Sequence, residues 1–435
     1  MLLMMETLLK LKVENNMEKD LKKYNVAIVG GGPAGIIAAI RAGELGARVV
    51  LIEKNDKLGI KLLMTGAGRC NLTHIEKNIR DFCRKFGKEG DFLLSPFSVF
   101  GAKETMEFFE NHGVELKDEK GKIFPTSDKA KDILSVLVDL LKKYKVDVLL
   151  SSEVADIKKK GKLISSIVLL NGKEIQAEQY IISSGGKSYP NTGSTGDSFI
   201  WAKRLGHDIM DTKPALTPIE TKEQWTKSLQ GISIDGVGIS FSCNQKIKAE
   251  GKGEILFTHF GFSGPVILDM SRVVGDLLEK GKVKMIIDLF PNKNIEQLDT
   301  SILSLFNRNR KKYISTCLNE FFPEKFTAFI LNFSSIPFER KCNDITKEER
   351  LRLIKFMKKI EVNVLGLLGF DKAMATHGGI SLKTIDSKTM KSKLISNLYF
   401  AGEAINLDGP CGGYNLQMCW STGYVAGQNA ASGVK

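Results

Sequence analysis

A short apolar strand that runs directly into a glycine-rich turn constrains this chain more than any other feature of its sequence. Residues 26–29 (Val-Ala-Ile-Val) form an unbroken apolar run, as in a parallel strand buried on both faces. Residues 30–35 (Gly-Gly-Gly-Pro-Ala-Gly) follow and fit the spacing G-x-G-x-x-G, and a second apolar strand at 49–52 ends in Glu53. This order of strand, turn, helix, strand and acid within about 30 residues predicts a dinucleotide-binding unit.

Each part of this unit has a physical task in holding a dinucleotide. Gly30 permits the tight turn, Gly32 lets the backbone approach a pyrophosphate, and Gly35 lets the helix pack closely on the strand. The helix that begins at Pro33 directs its N–H groups and the positive end of its dipole at that pyrophosphate. Glu53 is placed to accept hydrogen bonds from ribose hydroxyls and would repel a 2′-phosphate, so the site favours FAD or NAD over NADP.

The carboxyl-terminal part of the chain favours FAD over NAD as the cofactor. Residues 397–403 form a short apolar run that ends in Gly402 and Glu403, and a glycine-rich loop at 409–413 precedes a helix that opens at Tyr414. A carboxylate after a strand can bind a ribityl hydroxyl, and such a helix N-terminus can stabilise negative charge on a reduced flavin. The chain has a single G-x-G-x-x-G, which argues against separate FAD and NAD(P)H domains. We therefore expect non-covalently bound FAD.

Long ordered segments resemble one family of FAD flavoproteins, the family that contains aminoacetone oxidases and bile-acid double-bond reductases. The segments are 61–73 (KLLMTGAGRCNLT), 253–265 (GEILFTHFGFSGP), 375–380 (ATHGGI) and 400–415 (FAGEAINLDGPCGGYN). Such motifs are far more specific than G-x-G-x-x-G, and the match covers nearly the whole chain from Tyr24. One departure is His377, which stands where this family usually has a small residue.

The resemblance implies an α/β fold: a glutathione-reductase-like FAD/NAD(P)-binding domain with a parallel sheet, interrupted by a β-barrel-like insert that carries a small helical subdomain. The patterns agree in outline, since strand-like runs dominate 216–289 and helical periodicity follows at 295–359. The expected domains are a discontinuous FAD-binding domain (24–190 and 370–435), a β-rich substrate domain (191–291 and 345–369), a helical subdomain (292–344) and an N-terminal extension (1–23).

The residues expected to bind the cofactor come from the glycine turn, the second strand, the two resembling loops and the end of a further strand at 181–186. In the loop that holds Arg69 and Asn71, the resemblance favours contact with pyrophosphate and flavin over an ordinary Asn-capped turn. Val154 is expected to bind the adenine edge through its backbone. The full set is Gly30, Gly32, Pro33, Ala34, Gly35, Glu53, Lys54, Lys61, Thr65, Gly66, Gly68, Arg69, Cys70, Asn71, Val154, Ser184, Gly185, Gly186, Gly402, Glu403, Gly412, Gly413, Tyr414, Asn415 and Leu416.

His259 is the candidate catalytic residue. It lies between a strand and a Gly-Pro-rich loop, where cleft residues are common, and its ordinary pKa suits acid–base work near neutrality. The alternative is that it only fixes this loop by hydrogen bonds. Cys411 lies in the glycine loop expected near the flavin, but without a nearby partner cysteine it is interpreted as a small packing residue. No pair of residues has metal-ligand spacing.

Composition limits the partners. The formal charge is +13, but 51 of the 63 basic residues are lysines and they are mixed with acids. No basic stripe is interleaved with aromatics, so we expect no nucleic-acid partner. Seven cysteines without a C-x-x-C pair favour a reducing, cytoplasmic setting. No apolar stretch reaches about 18 residues, so no membrane-spanning helix is expected, and the oligomeric state stays open.

These observations predict an FAD-dependent oxidoreductase that acts on a small molecule by hydride transfer at the flavin. An amine or amino-ketone oxidase, with oxygen as the acceptor, is the first interpretation. An alternative is a reductase of an activated C=C bond, in which NAD(P)H binds transiently as the electron donor. A second alternative, suggested by the positive charge, is a flavoprotein that binds or modifies RNA.

Overall fold

The structure is a computed structural model that describes residues 24–434. The expected N-terminal extension, residues 1–23, therefore lies outside the described residues. Strands and helices alternate along the chain, with one parallel sheet and one closed barrel, and this confirms the predicted fold class. Among residues 24–434, no helix has both the length and the apolar character needed to cross a membrane.

The chain divides into two compact units. The first unit combines the described residues up to Lys213 with those from Ala375 onward, and the second unit is Pro214–Met374. The strands are Tyr24–Val29, Val49–Ile52, Thr73–His74, Leu116–Glu119, Lys122–Pro125, Asp147–Leu149, Val154–Lys160, Leu163–Leu169, Glu174–Ile175, Ala177–Ile182, Ile209–Ala215, Ile219–Thr221, Ser233–Cys243, Lys246–Phe257, Gly261–Ser263, Val283–Asp288, Ile360–Leu367, Ala375–Ile380 and Leu398–Phe400. The α-helices are Pro33–Glu44, Ile60–Met64, Ile79–Arg84, Leu94–Val99, Ala102–Glu110, Ala130–Lys143, Asp197–Arg204, Trp225–Ser228, Pro265–Leu278, Ile295–Arg308, Ile314–Leu318, Glu324–Phe333, Lys347–Lys358 and Tyr414–Ser432.

The first unit is built on a five-stranded parallel sheet. Its strand order is 398–400, 177–182, 24–29, 49–52, 147–149. Residues 26–29, 49–52 and 179–182 of the central strands are buried, as expected for a parallel sheet covered on both faces. The helices Pro33–Glu44 and Tyr414–Ser432 pack together unusually closely. A Cβ atom on Gly423 or Gly427 would lie 2.3 Å from a backbone oxygen of the first helix, so only glycine permits this distance.

The second unit is a closed antiparallel barrel with helices packed against it. The barrel strands follow the order 219–221, 261–263, 246–257, 233–243, 283–288, 360–367. Closure leaves no edge strand unpaired. The barrel and the helices share one hydrophobic cluster, in which Phe241 and Met285 of the strands belong together with Phe326 and Leu353 of the helices.

This division differs from the three expected domains in two respects. The helical residues 292–344 have no hydrophobic cluster of their own, because their apolar side chains complete the cluster of the barrel. The first unit also continues past residue 190 to Lys213, since Phe199 and Trp201 of the helix Asp197–Arg204 belong to its core. A 14-residue helix, Pro265–Leu278, also lies within the stretch where strand-like runs were expected.

Candidate functional site

The carboxyl ends of the parallel strands open into a cleft in the first unit. Its empty volume is about 820 Å³, part of which is open to solvent. Clefts at this end of a parallel sheet are the usual position of nucleotide sites. The cleft is lined by twelve of the residues expected to bind the cofactor: Gly30, Gly32, Pro33, Ala34, Glu53, Lys54, Lys61, Val154, Ser184, Gly185, Gly402 and Glu403.

The glycine turn at the base of the cleft has little room on one side and open space on the other. Gly30 has a φ of 107°, and a Cβ atom there would lie 2.6 Å from the carbonyl oxygen of Ser183. A Cβ atom on Gly35 would lie 1.9 Å from the carbonyl oxygen of Gly30. At Gly32, by contrast, a Cβ atom would meet nothing within 4 Å. An anionic group can therefore approach the backbone at Gly32.

The helix Pro33–Glu44 starts at this open point. Its first turn contains no acidic residue, and the side chain of its N-cap, Gly32, offers no capping group. No residue of the helix itself therefore neutralises the partial positive charge of its N-terminus. This end of the cleft is suited to bind a phosphate or pyrophosphate.

Glu53 lies at the end of the second parallel strand and is held in one orientation. One carboxylate oxygen, Oε2, accepts a hydrogen bond from the Gly31 N–H at 2.7 Å. The other, Oε1, accepts from the backbone N–H of Asn55 at 2.8 Å and from its side-chain amide at 2.7 Å. The carboxylate is buried but lines the cleft. Carboxylate oxygens can accept further bonds, so hydroxyl donors can bind here. Asn55, which follows Glu53 by two residues, was not among the predicted site residues.

Glu403 belongs to a partly buried polar network that joins four parts of the first unit. Its Oε2 atom pairs with Lys61 Nζ at 2.6 Å. Its Oε1 atom accepts from Ser188 Oγ at 2.6 Å and from the Thr376 N–H at 2.7 Å. Lys61 also donates to Ser188 Oγ at 2.6 Å. The network fixes an ammonium and a carboxylate side by side on the wall of the cleft. Neither Ser188 nor Thr376 was a predicted site residue. Thr376 lies in the resembling segment 375–380, but nothing in the sequence connects either residue to Glu403, which is 215 and 27 residues away respectively.

Two further polar groups lie in the lining. Lys54 Nζ pairs with Asp197 Oδ2 at 2.8 Å and donates to Thr195 Oγ1 at 2.6 Å. The Ser184 hydroxyl is buried and has no hydrogen-bond partner among the described residues. A buried hydroxyl without a partner is costly, and a bound ligand in the cleft can supply that partner.

The loop at residues 65–71 does not line the cleft. Arg69 Nη2 pairs with Glu119 Oε1 at 2.5 Å and with Asp128 Oδ1 at 2.7 Å, and its guanidinium lies 4.2 Å from the ring centre of Phe124. Burial raises the pKa of the Cys70 thiol to about 12, so Cys70 is a neutral packing residue. Thr65 Oγ1 donates to the Leu62 carbonyl at 2.6 Å. Like these three, Gly66, Gly68 and Asn71 are outside the cleft lining.

This loop instead contacts the second glycine loop. The Asn71 carboxamide lies 3.1 Å from the Thr73 carbonyl and 3.3 Å from the Gly413 N–H, with its nitrogen towards the first and its oxygen towards the second. The ring of Tyr414 stacks on His74 with centroids 4.6 Å apart. The remaining predicted residues that do not line the cleft are Gly35, Gly186, Gly412, Gly413, Tyr414, Asn415 and Leu416.

The structure places the candidate histidines in different settings. His259 is exposed in the second unit, between the strands 246–257 and 261–263, with its ring edge-on to Phe260 at 4.8 Å. Its catalytic role stays a prediction. His377 Nδ1 lies 2.6 Å from Asp408 Oδ1, a pair that the sequence did not reveal. His207 is buried between Thr384 and Ser392, and burial lowers its pKa to about 4.

The thiol that lines the cleft is Cys419, which was not a predicted site residue. Burial, followed by the negative charge of Glu403, raises the pKa of Cys419 to about 12. The thiol is therefore protonated at neutral pH and is a poor nucleophile. Within residues 24–434, no three His, Cys, Asp or Glu residues are grouped so that they could hold a metal ion.

Comparison with known proteins places this architecture among described relatives. The family model described as "HI0933-like protein Rossmann domain" matches residues 24–429. A 3-dehydro-bile acid delta(4,6)-reductase of Clostridium scindens is 31% identical over 93% of this chain and 98% of its own length. The ribosomal RNA dihydrouridine synthases of Haemophilus influenzae and Escherichia coli are 29% and 27% identical and match 92% and 94% of this chain, over 96% and 98% of their own lengths.

Solved structures share the fold at low sequence identity. A 3-ketosteroid-delta4-(5alpha)-dehydrogenase from Rhodococcus jostii aligns with a TM-score of 0.53 at 15% identity, over 94% of this chain and 97% of its own. A flavocytochrome c3 fumarate reductase aligns with a TM-score of 0.52 at 15% identity, over 98% of this chain and 81% of its own. Similarity at this level is evidence for the fold alone.

Proposed function

The chain belongs to the HI0933-like Rossmann family of FAD-dependent oxidoreductases, and on that premise we propose that it reduces a carbon–carbon double bond conjugated to a carbonyl group. The observation that carries this proposal is the full-length match to the bile-acid delta(4,6)-reductase. Its name, like that of the dihydrouridine synthases, denotes saturation of a C=C bond. NAD(P)H is proposed as the electron donor. In the balanced reaction, NAD(P)H and one proton are consumed, and NAD(P)⁺ and the saturated carbonyl compound are formed.

The residues of the cleft fit an FAD molecule. The open helix N-terminus at Gly32 is suited to the pyrophosphate, Glu53 to the ribose hydroxyls, and Ser184 is a buried hydroxyl that needs a partner. Lys61 and Glu403 present a fixed ion pair to the remaining part of the cofactor. When bound, FAD accepts a hydride from a donor and passes it to an acceptor.

The amine-oxidase interpretation differs from this proposal in both half-reactions. An oxidase takes its electrons from the amine and passes them to oxygen, whereas the proposed reductase takes them from NAD(P)H and passes them to the double bond. The relatives named above support the second scheme. All seven cysteines are free thiols, which supports a reducing compartment such as the cytoplasm.

Anaerobic mixing separates the two schemes. The FAD-loaded protein is mixed with NADH, NADPH or aminoacetone, and bleaching of the flavin absorbance is followed. The reduced protein is then mixed with 2-cyclohexenone as a simple conjugated acceptor. We expect bleaching by a nicotinamide and recovery of the colour with the enone. Bleaching by aminoacetone alone, with recovery only in oxygen, would overturn the proposal in favour of the oxidase.

A second candidate function is reduction of the same kind of double bond in a uracil base of RNA. Dihydrouridine is uridine whose C5=C6 bond, conjugated to the C4 carbonyl, has been saturated, so the chemistry is the same. The two ribosomal RNA dihydrouridine synthases match this chain over nearly its whole length. This candidate departs from the sequence-based expectation of no nucleic-acid partner. Mass spectrometry of a uridine-containing RNA, treated with protein and NADPH, tests it by a gain of 2 Da per reduced base.

A further inference from the structure

The second unit carries a strip of basic residues that is assembled from two separate segments of the chain. Residues 308–313 read Arg-Asn-Arg-Lys-Lys-Tyr, and residues 340–341 read Arg-Lys. We call these eight residues the basic strip. The first segment is a short K/R-rich run with an aromatic residue at its end, which the sequence-based expectation of no basic stripe overlooked; the second segment lies 27 residues further along the chain.

Backbone hydrogen bonds hold the two segments side by side. The Ile314 N–H donates to the Arg340 carbonyl at 2.8 Å, and the Cys342 N–H donates to the Lys312 carbonyl at 3.0 Å. Between these bonds, Tyr313 and Lys341 form an antiparallel bridge. Ile314 and Cys342 are buried beneath the strip. A packed, paired backbone therefore brings the basic residues of the two segments next to each other.

The positive charges of the basic strip are largely uncompensated. Arg310, Lys311, Lys312 and Lys341 are exposed, and none has a carboxylate within 4.0 Å among the described residues. Arg340 is the exception, since its Nη2 atom lies 3.6 Å from Glu349 Oε1. Like charges held side by side repel each other, and a bound polyanion relieves that repulsion.

A basic cluster of the first unit shows the contrast. Arg69 and Lys117 also lie close together, but both contact Glu119 and Asp128. Their two positive charges are matched by two negative charges, so this cluster presents no net field to a polyanion. Arginine and lysine side chains are therefore neutralised in this cluster of the first unit, whereas most of those in the basic strip are not.

The basic strip also contains an aromatic side chain in its centre. Tyr313 is 46% exposed, and it is flanked in sequence by Lys312 and in space by Lys341. Surfaces that bind single-stranded nucleic acid combine cations that contact the phosphates with exposed aromatic rings on which bases stack. We infer that the basic strip is a contact surface for the phosphate backbone and bases of single-stranded RNA. The inference rests on the RNA candidate under Proposed function and assigns it a place on the molecule.

A charge-reversal pair with a matched control tests the basic strip. Binding of a fluorescein-labelled 20-nucleotide RNA is measured by anisotropy for the FAD-loaded wild-type protein, for Lys311→Glu/Lys312→Glu, and for Lys159→Glu/Lys160→Glu. The control pair is exposed on the hairpin of the strands 154–160 and 163–169 in the first unit. It changes the net charge by the same amount.

We expect the strip variant to bind RNA about tenfold or more weakly at 100 mM salt, and the control to change by less than about twofold. Two lost phosphate contacts should also lower the slope of log K against log salt by about 1.4. A Tyr313→Ala variant should bind more weakly without a change in that slope, because stacking does not release counterions.

Three results would overturn the inference. The first is equal loss of affinity in the strip and control variants, which indicates attraction to net charge alone. The second is the absence of RNA binding by the wild-type protein at low salt. The third is binding of duplex DNA or of phosphatidylserine vesicles with the same strip dependence and equal affinity, which indicates a surface for polyanions in general.

The flavin assay distinguishes failure of this inference from failure of the proposed reductase function. Both lysine variants should retain FAD and be bleached by the nicotinamide at the wild-type rate, since the changed residues are exposed and lie outside the cleft lining. If the enone recovers the colour and RNA does not bind, the strip inference fails and the reductase proposal stands. If RNA binds through the strip but no nicotinamide bleaches the flavin, the reductase proposal fails alone.

Discussion

The two compact units present their polar residues in different ways. In the first unit, many residues of the cleft, among them Gly30, Glu53 and Ser184, follow shortly after parallel strands, so the ends of the strands themselves bring them together. In the second unit, the sheet closes into a barrel and has no such row of strand ends. Its basic strip arises where two irregular segments pair. Sheet topology therefore produces the first site, whereas packing of loops against helices produces the second.

The two regions also differ in how their charges are balanced. In the cleft, Lys54 and Lys61 each pair with an acid, Asp197 and Glu403 respectively. In the basic strip, most cations lack such a partner. A paired cation is oriented and presents little net charge, which suits a site that holds a cofactor in one pose. An unpaired group of cations attracts any nearby polyanion and tolerates many poses.

The largest expected effect is that of Gly35→Ala in the first unit. Its new Cβ atom would lie 1.9 Å from the Gly30 carbonyl oxygen, so the helix must move away from the strand. We expect the free energy of unfolding to fall by about 3 kcal/mol or more in urea titrations. Gly32→Ala is the matched control and should unfold as the wild-type protein does, since its Cβ atom meets nothing within 4 Å. Equal stability of the two variants would contradict the close packing of the turn.

Arg350→Met is the corresponding perturbation of the second unit. Arg350 is largely buried and binds Asp299 through two hydrogen bonds, Nε–Oδ1 at 2.6 Å and Nη2–Oδ2 at 3.3 Å. Removing it leaves Asp299 partly buried without its cation, which should cost about 2 kcal/mol of stability. Both residues lie in the second unit, so FAD retention at 20 °C should persist. Loss of FAD from a folded variant would show that the units are not independent in this respect.

The pH dependence of the free energy of unfolding tests whether His207 is buried and neutral in the core of the first unit. Burial lowers its pKa to about 4 from an ordinary value near 6.5, so below pH 6.5 the unfolded state binds more protons than the folded state. Stability from this group is complete above pH 6.5 and is lost as the pH falls towards 4. Relative to pH 7.5, the wild-type protein should lose about 2 kcal/mol more than His207→Gln at pH 5. Parallel pH profiles for the two proteins would contradict a buried neutral histidine.

The smallest expected effect is that of Glu53→Gln on FAD affinity. Glutamine keeps the size of the side chain but replaces one acceptor oxygen by an amide donor, so it cannot accept all the bonds that the carboxylate accepts. We expect the Kd for FAD to rise about tenfold, equivalent to about 1.4 kcal/mol, as measured by fluorescence titration of the apoprotein. Glu178→Gln, on a strand of the same sheet but outside the cleft lining, should leave the Kd unchanged.

Local sequence patterns were sufficient for the core of the first unit. The apolar runs at 26–29 and 49–52 and the glycine turn after the first of them follow from patterning and turn chemistry, and the runs form the strands Tyr24–Val29 and Val49–Ile52. Patterning was less informative in the second unit. The helix Pro265–Leu278 begins with a continuous apolar run, and such a run does not distinguish a buried helix from a buried strand.

Long-range pairing explains why part of the site was not predictable. Ser188 and Thr376 hold Glu403, although 215 and 27 residues separate them from it. Arg69 follows a glycine loop that resembles a cofactor loop, yet two acids distant in sequence, Glu119 and Asp128, take its guanidinium. Hydrogen-bond partners this far apart leave no periodic or spacing signal.

The sequence by itself determined the dinucleotide-binding unit, because its strand, glycine turn, helix and acid are consecutive and each has a local physical requirement. It also identified Glu53 and Glu403, two of the four carboxylate residues that line the cleft; Glu153 and Asp197, the other two, were not predicted. Only the tertiary structure decided which cations are neutralised and which are left unpaired. That outcome depends on contacts between residues far apart in the chain, such as Lys61 with Glu403 and Lys312 with Cys342. For this reason the net charge of +13 did not by itself show where on the molecule unpaired cations lie.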